Sequence, residues 1–290
     1  MGILYADARH LLERRKGRLG GRAITLGRLC TFFHPGDLKK LRKLAPVDHA
    51  ADKWFKSYEW GQFADNFFRD VLKFDSLDSM DVSDYEGATI VHDLSEPVPQ
   101  MYVGRFDLAM DGGTLEHVFN FPQAMANLMK LAKLGGDVYM VGPCNNLCGH
   151  GFYQFSPELI HRVFSGSNGF EPLFVRIAKA KYLSVELTTN HAVYDVHDPD
   201  IVCRRVTLIT SSPVLIMAMA KRVSDVEPFK QKMLQSDYVA KWRGKQSSSR
   251  LRKLKQTVRE KMPTWLMNRV LGFDYRRKAS LSYKKHFRSV

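Results

Sequence analysis

Only four of the 290 residues are cysteine, Cys30, Cys144, Cys148 and Cys203, and their spacing forms no disulfide framework. A scaffold held by cross-links is thereby excluded, and the fold must rest on its core. No apolar run approaches the roughly 20 residues of a membrane span. The amino-terminal stretch is broken by Asp7, Arg9, Glu13, Arg14, Arg15 and Lys16, unlike a signal peptide. The default compartment is a reducing cytoplasm. Cys144, Cys148 and His150 stand close together, but no fourth ligand follows at a recognisable spacing, so loop or buried thiols are expected and no metal.

What is present is enough apolar content for a real core, 44%, and a strong excess of positive charge, +14. That excess has an address. From Lys221 onward there are 20 Lys or Arg against 5 Asp or Glu, while the preceding body is close to neutral. Charge thus divides the chain into a domain over residues 1–222 and a basic, partly helical extension over 223–290. In the extension Leu251, Leu254, Val258, Met262 and Leu266 recur at three or four residues among basic ones, an amphipathic pattern with Trp265 placed to anchor in a headgroup layer. The pattern fits equally a helix packed on its own domain with a solvated basic face and one that contacts an anionic membrane or a protein surface, the membrane contact placing the chain peripherally at the inner face. RNA, with Trp242, Trp265 and Tyr275 for stacking, is the weaker alternative.

Along the body, residues 5–16 read as a short basic helix and residues 23–27 as a buried first strand ending in Gly27. A helical insertion follows over 28–73. Strands are then expected over 73–80, 88–92 and 106–110, leading to Asp81, Asp93 and Asp111 respectively. Asn120 and Pro122 open a helix that Gly135 and Gly136 stop, residues 137–142 form a fifth strand, and Ser156-Pro157 opens another helix. Further strands are expected over 172–177 and 183–187. Residues 206–210 and 214–220 read as two late strands joined by a turn, an antiparallel edge on an otherwise parallel sheet.

Within residues 106–120 an apolar strand delivers Asp111, Gly112, Gly113 and the Glu116-His117 pair to a helix start. Polar chemistry thus falls at the carboxyl end of a strand, where open α/β sheets bind ligands. This stretch, with its GTLEHVFNFP sequence from Gly113 and the GHGFYQFSPEL sequence from Gly149, resembles class I S-adenosylmethionine-dependent methyltransferases, specifically uncharacterised bacterial methyltransferase-like proteins. The resemblance covers roughly residues 23–222 and implies a Rossmann-like, mostly parallel seven-stranded sheet with an antiparallel edge strand. It also implies S-adenosylmethionine as cofactor, with Gly27 beside its methionine part, Asp81 on the ribose hydroxyls and Asp93 on the adenine amine. Asp111, with Gly112, would face its amino-acid moiety or the substrate. One departure stands out: a single glycine in Thr25-Leu26-Gly27-Arg28 replaces the usual run of several. Either Arg28 meets the cofactor carboxylate through another geometry, or the domain has lost binding and serves as an inert, partner-binding module.

Methyl transfer needs an acceptor atom held in line and, for a hydroxyl, a base. His117 and His150 are the candidate catalytic bases; each has an alternative as a helix-entry or loop-packing residue. Asn145, Asn146, Tyr153 and Gln154 complete a second polar group that could orient an acceptor. Asp111-Gly112-Gly113-Thr114 stands where amino- and base-methylating enzymes carry an Asn-Pro-Pro-Tyr type signature. This disfavours one subclass of nucleic-acid enzyme without excluding RNA, whose modification stays a third alternative. A hydroxyl of a small molecule, sugar or lipid-linked compound is the expected acceptor because it fits a polar loop with a histidine base.

Overall fold

The computed structural model describes residues 2–182, 184–185, 191–242 and 262–290. Its strands are β1 (Gly2–Ile3), β2 (Arg22–Leu26), β3 (Cys30–Thr31), β4 (Ser76–Asp81), β5 (Ile90–Val91), β6 (Phe106–Asp111), β7 (Ala132–Asn145), β8 (Phe170–Lys179), β9 (Ala192–Val196), β10 (Val214–Arg222) and β11 (Phe287–Ser289). Nine of them form one sheet in the order β11-β9-β8-β10-β7-β6-β2-β4-β5, and β1 pairs with β3 apart from it. From β5 to β7 all neighbours are parallel, whereas β10 runs antiparallel to both β7 and β8.

Two expectations are corrected here. The sheet is a mixed one of nine strands, not a mostly parallel one of seven, and its antiparallel strand lies inside it rather than at an edge. Residues 206–210 form no strand. Both edges of β10 are already taken by β7 and β8, and the amide of Ile209 donates to the carbonyl of Ala279 instead. Val206 and Leu208 still pack against the core. The strand expected over 183–187 falls largely outside the described residues.

Side-chain alternation explains why the sheet is buried on both faces. Ile24, Leu26, Val138, Met140, Ile216 and Ala218 meet the helices α4 (Phe121–Leu131) and α5 (Pro157–Val163) on one face. Ala23, Tyr139, Val141, Met217 and Met219 meet helix α1 (Tyr5–Arg15) and the 28–73 insertion on the other. Within the insertion lie α2 (Pro35–Leu44), α3 (His49–Lys56) and a short π-helical turn, Phe67–Val71. Ser156 caps α5 as its sequence predicts, accepting from the amide of Leu159 at 3.2 Å. Asn120 does not cap α4; its Nδ2 donates to the carbonyl of Ser95. Nor does Gly135-Gly136 end that helix, because β7 begins directly at Ala132.

The charge boundary at residue 222 is not where the sheet ends. Strand β11 pairs antiparallel with β9, and Arg288 holds Asp195 at 2.7 Å across that pair. A helix over Thr264–Lys278 precedes it, with Trp265 and Phe273 exposed. Leu251, Leu254 and Val258 of the amphipathic pattern lie outside the described residues. No helix among the described residues is long and apolar enough to cross a membrane.

Candidate active site

The strand order turns between β2 and β6: from β2 the chain proceeds to β4 and β5 on one side, then returns to β6 and β7 on the other. Such a switch point leaves a crevice at the carboxyl ends of the strands. Gly27 sits there, buried, with φ +69°, a left-handed bend that side chains disfavour, and its amide donates to the carbonyl of Met80 at 2.7 Å. Asp81, at the end of β4, is half-buried, and its carboxylate makes no hydrogen bond or ion pair among the described residues. Asp93 is exposed, and its Oδ1 accepts from the amide of Ser95 at 2.8 Å. Arg28 lies 3.9 Å over the ring of Phe63, pairs with Asp65 at 3.3 Å and donates to the carbonyl of Glu86.

Asp111 is fully buried at the end of β6. Its Oδ1 accepts from the amides of Thr114, 2.8 Å, and Leu115, 3.2 Å, which winds the chain into the single 3₁₀ turn Leu115–His117. Thr114 Oγ1 donates to the carbonyl of Leu26 at 2.7 Å and ties this turn to the end of β2. Gly112 faces Leu29, and a Cβ there would stand 2.6 Å from the leucine methyls. Leu29 therefore occupies the space that the missing side chain leaves.

The turn buries Glu116 and leaves His117 exposed. From the loop after β7, the amide of Phe152 donates to the carbonyl of Glu116 at 2.7 Å, and His150 Nε2 stands 3.3 Å from Glu116 Oε1. The rings of His117 and His150 meet edge to face at 5.3 Å. Both predicted bases are thus brought together, with Glu116 beneath them. Asn146, Gln154 and Tyr153 of the polar loop have structural partners. Asn146 Nδ2 donates to Thr210 and Ser212, Gln154 accepts from the amide of Leu147, and the Tyr153 hydroxyl donates to the carbonyl of Phe119. Phe155 is in the core, whereas Phe152 is exposed.

Burial raises the pKa of both Asp111 and Glu116, and the charge of Asp111 raises Glu116 further. Burial, and then the neighbouring His150, lowers His117. Asp111 Oδ2 and Glu116 Oε2 are buried without a hydrogen-bond partner among the described residues.

A cavity of about 280 Å³ opens beside this group, lined by Gly112, Gly113, Glu116, Gly142 and His150, and from the amino-terminal segment by Leu4 and Asp7. Gly27, Arg28, Asp81 and Asp93 do not line it; they lie on the β2–β4–β5 side. Asp7 is the residue that sequence reasoning missed. Its one signal is an acidic residue inside an otherwise apolar run, Ala6 and Ala8 flanking it. It accepts from the Tyr139 hydroxyl at 2.6 Å and from the amide of Leu4 at 2.9 Å.

Burial pushes the Asp7 carboxyl up to about 6 despite those two hydrogen bonds. A carboxyl that holds its proton more tightly when folded contributes stability present at low pH and lost as pH rises from its unfolded value, 3.8, to about 6. Asp7→Asn is expected to remove that slope, so the variant gains on the wild type between pH 4 and pH 7 in urea denaturation. An unchanged slope would show that folding leaves the Asp7 pKa where it stands in the unfolded chain.

Across the switch the parallel strands β5-β4-β2-β6-β7 stand in the order 3-2-1-4-5 when numbered within the sheet, which makes this a Rossmann-like α/β fold. No protein-family model and no curated protein matches the chain. Among solved structures, it is similar to a SAM-dependent methyltransferase from Thermotoga maritima, with 13% identity over 74% of this chain and 89% of that one at a TM-score of 0.40. It is also similar to the 1,6-didemethyltoxoflavin-N1-methyltransferase of Burkholderia thailandensis, with 12% identity over 76% and 78% of the two chains and a TM-score of 0.38. An N-methyltransferase from Bradyrhizobium japonicum, in complex with S-adenosylhomocysteine, gives 12% identity over 76% and 87% and the same TM-score, 0.38.

Proposed function

We propose that the chain is an S-adenosylmethionine-dependent methyltransferase acting on a hydroxyl of a small molecule, sugar or lipid-linked acceptor. The observation that carries this reading is the half-buried Asp81 carboxylate, unpaired among the described residues, at the end of β4 beside the strand β2 that ends in the Gly27 bend. A carboxylate with both oxygens available suits a vicinal diol such as a ribose. Asp93 would take the adenine amine, and Asp111 with Gly112 the amino-acid end. Arg28 would reach the donor carboxylate only by leaving Asp65.

Bound there, the donor supplies an electrophilic methyl group. The chain's own part is to align the acceptor oxygen, exclude water and take the hydroxyl proton. The cavity beside Glu116 provides the acceptor's place, and His150 or His117 the acceptor of its proton. The exposed Trp265 and Phe273 among basic residues give the tail helix a membrane-surface role in the same proposal.

A second reading, an inert module that binds a partner, is favoured by Leu29 packed on Gly112 and by Arg28 held at Asp65 and Glu86. Thermal unfolding of the full chain separates the two. A melting temperature that climbs with S-adenosylhomocysteine concentration is expected of the enzyme. No shift in folded, ligand-free protein would leave the inert module.

A further inference from the structure

We propose that Glu116, His117 and His150 form a binding site for a divalent transition-metal ion of the Zn²⁺ type. The inference stands on the geometry of these three side chains and not on the methyl-transfer reading. One ligand atom from each lies within 4.8 Å of the other two. Glu116 and His117 are adjacent on a turn fixed by the Asp111 carboxylate, and His150 is brought over them by the hydrogen bond from the Phe152 amide to the Glu116 carbonyl.

Metal–ligand bonds of about 2.1 Å in a tetrahedral set separate neighbouring donor atoms by roughly 3.4 Å. The pair formed by His150 Nε2 and Glu116 Oε1, at 3.3 Å, already has that spacing. His117 is exposed, and a rotation of its side chain that moves the ligand atom by at most about 1.5 Å would close the remaining gap.

The independent sign is Glu116 itself. It is 1% exposed, yet its Oε2 has no hydrogen-bond partner among the described residues. A buried carboxylate oxygen left unpaired is costly, and here a second such oxygen, Asp111 Oδ2, lies at the end of β6, whose carboxylate anchors the turn. A cation held by both oxygens of the Glu116 carboxylate would give Oε2 its missing partner while Oε1 keeps its spacing to His150. Two imidazoles and one carboxylate suit Zn²⁺, Fe²⁺, Co²⁺ or Ni²⁺ better than Mg²⁺ or Ca²⁺, which take oxygen sets. Three protein ligands leave coordination open, and the adjoining cavity of about 280 Å³ gives the open position somewhere to face.

The test is titration of the metal-free, full-length protein with Co²⁺, read by visible absorption, and with Zn²⁺, read by equilibrium dialysis. The expected result is one ion per chain. Removing a true ligand costs at least as much as removing an outer-shell partner, roughly 10- to 100-fold in affinity. Glu116→Gln, His117→Ala and His150→Ala should each show that loss with metal-free melting temperatures unchanged for the two exposed histidines, and His49→Ala, on α3, should show none. Absence of stoichiometric binding by the folded chain overturns the proposal. So does binding undiminished in all three variants, or lost only in Cys144→Ser or Cys148→Ser, which would place the ion on the thiols.

Discussion

Phe67→Ala is expected to cost about 3–5 kcal/mol of folding free energy, the range for removing a fully buried aromatic side chain. Phe67 is 0% exposed and lies at the centre of the insertion, with ring centroids at 5.3 Å from Trp54, 5.6 Å from Phe33 and 6.3 Å from Phe68. Phe33 in turn stacks on Tyr58 at 5.6 Å, and the Tyr58 hydroxyl both donates to the carbonyl of Thr31 and accepts from the amide of Phe33. This aromatic cluster holds the insertion to the sheet through Ala23, Leu108 and Met110. It thereby fixes the segment that presents Arg28 and Leu29 to the switch point. Phe119→Ala, at a ring 74% exposed, is expected to stay within about 0.5 kcal/mol of the wild type. Urea denaturation measures both. A Phe67 loss below about 1 kcal/mol, the centre of the range for ordinary substitutions, would mean that the insertion folds independently of its central ring.

Asp81→Ala is expected to lower donor affinity about 10- to 100-fold while leaving the fold intact. A hydrogen bond to a charged group is worth about 1.5–3 kcal/mol, and each 1.4 kcal/mol is a factor of ten in binding. The fold should survive because the Asp81 side chain bonds to nothing among the described residues. The backbone of Asp81 is what the sheet uses: it pairs with Val91, and its carbonyl accepts from the amide of His92. Asp84→Ala, three residues on and exposed, serves as the control and should leave affinity unchanged. Equal affinity of the Asp81 variant and the wild type, with both folded, would remove Asp81 from the donor site.

Asp111 was readable as a strand end because a short apolar run followed by Asp and Gly marks both the strand and its exit; Asp81 also ends its strand, whereas Asp93 lies two residues beyond β5. Ser156-Pro157 was readable as a helix start because cap and first-turn proline are local signals. What escaped is non-local. Residues 206–210 are as apolar as a strand, and only the occupancy of both β10 edges tells that they are not one. Strands β9 and β11 are short and partly charged, and they pair through residues about 90 apart, with Arg288 on Asp195. Local periodicity cannot register such a pairing. The same holds for Asp7, whose burial depends on a hydrogen bond to Tyr139, 132 residues away. His117 and His150 were legible as titratable groups, but their meeting over Glu116 depends on how the loop after β7 folds back.

Calorimetric titration of purified, full-length protein with S-adenosylmethionine and S-adenosylhomocysteine, after mass spectrometry for co-purified ligand, tests donor binding at the switch point most directly. Saturable binding of both with one site per chain is predicted. Folded, ligand-free protein that binds neither would contradict it.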